Sequence, residues 1–120
     1  MTESRESQLR RDELPIDGSA TPFIEAVVLQ LSRAEQAGAA ATRTDDLARR
    51  LMAVLHAVER GAELEAVSLL ESEPLLVSSV FQNADLLYRH EYPGADALSM
   101  ATLTAIHRAA EARDRTADDD

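Results

Sequence analysis

The stretch from Pro74 to Tyr92 reads PLLVSSVFQNADLLYRHEY, and its periodicity decides the fold. At about 100° per residue, Leu76, Val77, Val80, Phe81, Ala84, Leu87 and Tyr88 fall on one wide arc, the pattern of an amphipathic helix. Leu75 and Leu86 fall outside that arc, nearly on one line along the reverse side. Pro74 suits a first helical turn, where its missing N–H breaks no bond, and Tyr92-Pro93-Gly94 cannot continue the helix. A helix apolar over so much of its circumference is usually buried nearly all round. This segment is therefore expected at the centre of the protein.

Four further helices are expected around it. The first opens at Thr21-Pro22, with Thr21 as N-cap, and stops at Gly38. It carries Ile24, Val27, Val28, Leu31 and Ala34 on one side and Leu29 on the other. A second opens at Thr44-Asp45-Asp46, an N-cap followed by acids that complement the positive helix end, and breaks at Gly61. Its stripe is Leu47, Leu51, Val54, Leu55 and Val58, with His56 opposite. A short third helix, Glu63 to Glu71, offers Leu64, Val67 and Leu70. The fifth, from about Asp96 to Arg113, offers Leu98, Thr102, Leu103, Ala105, Ile106, Ala109 and Ala110. Nothing repeats at solenoid spacing.

Residues 1–20 are rich in charge and hold only Leu9, Leu14 and Ile16 as larger apolar side chains, which reads as a flexible N-terminal tail, with a helical turn near Arg5 to Asp12. Residues 114–120 read as an acidic C-terminal tail. The expected organisation is thus one helical domain over 21–113. Its fold class is all-α, a compact bundle of four to five antiparallel helices between disordered tails.

Composition supports this and excludes several functions. The chain has 120 residues, room for one core, with 45% apolar but only 3% aromatic residues. Ala and Leu supply most of the apolar set and favour helix over sheet. No run is long enough to span a membrane, and the charged MTESRESQLRRDEL start does not resemble a signal peptide. A cytoplasmic protein without membrane contact is expected. There is no cysteine, so disulfides and thiolate chemistry are excluded. The formal charge of −10 argues against direct nucleic-acid binding, which needs a basic patch. All 12 basic residues are Arg, a bias that coding composition or salt adaptation would each produce.

Motifs that carry a reaction are missing. His56 with Glu59, and His107 with Glu111, have helical spacing. Di-iron bundles need Glu-x-x-His pairs and zinc proteases need His-Glu-x-x-His, and neither occurs. Both His are expected on wet faces beside Arg and Glu. No Gly-x-Ser-x-Gly elbow is present, and the four glycines are scattered singly. No catalytic, cofactor-binding or metal-binding residue is assigned.

Apolar and aromatic side chains outside the core stripes suggest an interface instead. Leu29, Met52, Leu75 and Leu86 depart from their helices' stripes, and Tyr88, Arg89 and Tyr92 gather residue types common at binding hot spots. These seven are the candidate protein interface. The expected function is a non-enzymatic interaction module: an adaptor, small regulatory subunit or inhibitor that binds another protein or a second copy of itself. Self-association is expected across the Leu75–Leu86 line. One alternative is an acidic nucleic-acid mimic that occupies a nucleic-acid-binding protein, motivated by the charge and by Asp118-Asp119-Asp120. Another is a small helical enzyme or metal-binding protein.

Overall fold

A computed structural model describes residues 16–38 and 43–119. The expected tail over 1–15, with its helical turn, and most of the connection before the second helix lie outside the described residues. The expected all-α bundle is found. A 3₁₀ turn at Gly18–Ala20 leads into α1 (Thr21–Gln36), followed by α2 (Thr44–Glu59), α3 (Glu63–Glu71), α4 (Pro74–Arg89) and α5 (Ala95–Asp119). No strand occurs among the described residues.

Helix ends depart from expectation where tertiary contacts outrank local caps. Thr21 is already helical behind Ala20, and the capping side chain is Asp17, which accepts the Ser19 amide at 2.9 Å. Thr44 likewise starts α2 and caps nothing. Its backbone N–H donates to Glu35 of α1 at 2.8 Å, and its hydroxyl donates to the same carboxylate. These two bonds favour the charged form and hold the Glu35 carboxyl below its ordinary range.

Two helices end in the same hydrogen-bonded turn. At the end of α2, Gly61 takes φ +79° and the Ala62 amide reaches back to the Ala57 carbonyl at 2.8 Å. At the end of α4, Glu91 takes φ +55° and the Tyr92 amide reaches the Leu87 carbonyl at 2.9 Å. Glycine is the usual residue for this left-handed position, so Glu91 is held there by its surroundings.

The core runs through Phe23, Val27 and Leu31 of α1, Leu51 and Leu55 of α2, Leu70 of α3, Leu76 and Leu87 of α4, and Leu98 of α5. Phe23, outside the expected α1 stripe, is fully buried beside Val27 and Leu31, so the buried stripe is rotated from the expected one by roughly 40°, well under one residue position. The domain also begins earlier than expected. Ile16 packs against the core and Ala20 is wholly buried. At the other end α5 runs past Arg113 to Asp119.

Helix α4 is flanked by α1 and α5. The Gln30 side chain of α1 donates to Gln82 at 2.6 Å and accepts from Asn83 at 2.8 Å. Leu75 and Leu86 fall on the side of α4 between those two contacts, and both pack against the core. The expected uncovered line is therefore partly buried within one chain. Enclosure fails on the other side. Phe81, expected in the core, is 57% exposed and Leu103 of α5 is 44% exposed, while Leu64, elsewhere on α3, is 71% exposed.

Candidate functional site

The open side of α4 faces along α5. Val77, Phe81, Ala84 and Tyr88 fall within about 60° of one another on α4, and Ser99, Leu103, Ile106 and Ala110 form a matching stripe on α5. Contacts along the two stripes run in opposite order. Tyr88 lies beside Asp96 and Ser99, whereas Pro74 and Val77 lie beside Ile106 and Arg113. Between the stripes is a groove with two hollows, of about 90 Å³ near Ala84 and Ser99 and about 310 Å³ near Pro74 and Ala109. Phe81 lines both and stands between them.

The groove's rim is polar and its charges are largely balanced. Asp85 pairs with Arg89 at 3.5 Å, and Glu71 with Arg108 at 3.7 Å. The Tyr88 hydroxyl donates to Asp96 at 3.0 Å and lies 3.1 Å from the Ser99 hydroxyl. Asp96 thus marks one end of the groove and Arg113 the other.

The seven expected interface residues do not form one face. Leu29 is exposed alone on the outer side of α1. Met52, Leu75 and Leu86 are partly buried against the core. Tyr88 is half-exposed on the groove's rim, and Arg89 beside it is tied to Asp85. Tyr92 is a correction. It is only 3% exposed, and its hydroxyl donates to Glu59 of α2 at 2.7 Å. The same Glu59 oxygen accepts the Asp17 backbone N–H at 3.1 Å, so one carboxylate holds both the start of the domain and the α4–α5 turn. Burial, then the hydrogen bond to Glu59 and its charge, push the Tyr92 phenol well above its ordinary value. Tyr92 can fold inward because position 94 is glycine. A Cβ there would lie 2.8 Å from the Tyr92 ring and 2.8 Å from Val58.

His56 is a second correction. It is 8% exposed rather than solvated, because Leu55, His56, Ala57 and Val58 are all buried and four consecutive residues point round most of a helix. The turn over residues 54–58 is buried round the whole helix, although Glu59 after it is exposed, which a one-sided stripe does not anticipate. His90 and His107 are exposed. Among the described residues, no three His, Asp or Glu side chains gather as a metal site would require. No helix described is long and apolar enough to cross a membrane.

Sequence reasoning missed Phe81 and Leu103 as surface residues. The signal was present in the width of the α4 arc, broader than one neighbouring helix can cover. No family model, curated protein or solved structure matches this chain.

Proposed function

We propose that this protein is a non-enzymatic interaction module, an adaptor, small regulatory subunit or inhibitor, whose working surface is the apolar groove between α4 and α5. The observation that supports this reading is Phe81, more than half exposed at the middle of a groove with a polar rim. Contiguous apolar surface of this form is characteristic of binding sites, whereas single exposed leucines such as Leu29 are ordinary. Burying an aromatic or leucine side chain is worth roughly 1.5–3 kcal/mol, so Phe81 with Leu103 offers a partner useful free energy.

The test is site-specific crosslinking. A photoreactive phenylalanine analogue at position 81, irradiated in native cells, is expected to give a discrete protein adduct, and the same analogue at position 64 none. Absence of an adduct from position 81 overturns the reading. Salt separates it from the acidic-mimic alternative, since apolar docking persists at moderate salt while binding through carboxylates weakens steeply.

A further inference from the structure

Resting on that reading of the groove, we infer that its occupant is a second copy of this chain, packed about a two-fold axis passing beside Phe81 and Leu103. Three observations converge on this. The first is shape. Phe81 projects between two hollows, the larger of about 310 Å³, so the groove carries both a knob and a recess for one. A two-fold operation presents each copy's knob to the other's recess, as an isologous interface requires.

The second is charge placement along α5. Asp96 stands at one end of the groove side and Arg113 at the other, with Leu103 close to midway between them. A two-fold axis at that midpoint reverses the helix and lays Asp96 of each copy beside Arg113 of the other. Both ends are satisfied by one operation.

The third is neutrality. The chain carries −10 overall, and two such chains repel wherever their acids face one another. At this groove the flanking acids Asp85 and Glu71 are already paired with Arg89 and Arg108. A basic partner would be drawn to unpaired carboxylates, and this face offers few. It suits a second acidic copy.

The experiment is sedimentation of the purified full chain over concentrations from about 1 μM to 1 mM, with helicity followed by circular dichroism. The parent is expected to approach twice the chain mass at the upper end, and Phe81→Ser to stay at the monomer mass with unchanged helicity. Asp96→Arg alone and Arg113→Asp alone should each weaken association about two- to fivefold. The double variant, with the pair reversed, should recover most of the loss. A parent that stays monomeric overturns the inference, as does a Phe81→Ser variant that dimerises like the parent or a double variant no tighter than either single one. A monomeric parent that still crosslinks through position 81 to a different protein rejects the second copy while leaving the groove as the working surface. Failure of both experiments rejects the groove itself.

Discussion

The two sides of α4 carry similar side chains and meet different fates. On one side Leu75 and Leu86 are partly buried against the core, on the flank of α4 where Gln30 of α1 bonds Gln82 and Asn83. On the other, Val77, Phe81, Ala84 and Tyr88 are bordered by α5 but not roofed, and Phe81 and Tyr88 stand half in water. Helix α5 meets the core with Leu98, Ala101 and Ala105, and its Leu103 and Ile106 border Phe81 without covering it. Apolar character alone does not decide burial; the number of helices available to cover a face does.

The contrast is broken most directly by truncating one residue on each side of the boundary. Leu87, wholly buried, is expected to cost about 2–5 kcal/mol on change to Ala, through lost burial and the cavity left behind. Phe81→Ala, measured at a concentration where the chain is monomeric, should cost no more than about 0.5 kcal/mol. Leu86→Ala should fall between, at about 1–2 kcal/mol, because its side chain is only partly enclosed. Urea denaturation of the three variants orders them. A Leu86 variant as stable as the Phe81 variant would show that α1 does not cover that side.

Tyr92 sharpens the contrast, because the turn it anchors sends α5 along the open side. Its phenol donates to Glu59 and is held above its ordinary value near 10 by burial and by that carboxylate. The native state therefore keeps the phenolic proton where the unfolded chain would release it. The resulting stabilisation is complete below pH 10 and is lost as pH rises above it. Tyr92→Phe should lower stability at neutral pH by about 1.5 kcal/mol, the scale of a hydrogen bond to a charged group. It should also flatten the alkaline decline. Urea midpoints at neutral pH and above pH 10 check both, and equal alkaline slopes in parent and variant would remove Tyr92 as the cause.

The helices themselves were legible in the sequence because each has its own period and punctuation. Glu63–Glu71 is found with the expected bounds, and Pro74 opens α4 as its φ constraint favours. What was not legible depends on neighbours. Thr44 has the chemistry of a cap, yet it bonds Glu35 because α1 brings that carboxylate within reach. His56 reads as solvated until the burial round residues 54–58 is known. Tyr92 reads as a rim aromatic, and only the missing side chain at Gly94 lets it turn inward. Phe81 shows the converse, since its position on the apolar arc is right and its burial is not. A periodicity assigns a residue to a side of a helix, whereas only the packed structure says whether that side is filled.

The smallest effect tests how tightly the covered side is closed. Ser79 is wholly buried on α4, and its Oγ is the one buried side-chain oxygen or nitrogen among the described residues without a hydrogen-bond partner. It falls on the flank that carries Leu75 and Leu86, one position from Ser78, which faces solvent. An unpaired hydroxyl in a closed apolar layer has lost its water and gained nothing in return, so removing it should help. Ser79→Ala also substitutes a better helix former of smaller volume. A gain of about 0.5–1 kcal/mol is expected, while Ser78→Ala on the exposed side should change stability by no more than the few tenths that helix propensity supplies. Paired urea curves resolve the difference. If Ser79→Ala destabilises the protein, its hydroxyl has a partner, such as a bridging water, and α1 does not seal that side of α4 dry. If the two variants gain equally, propensity alone explains both, and the covered and open sides of α4 are alike at this level.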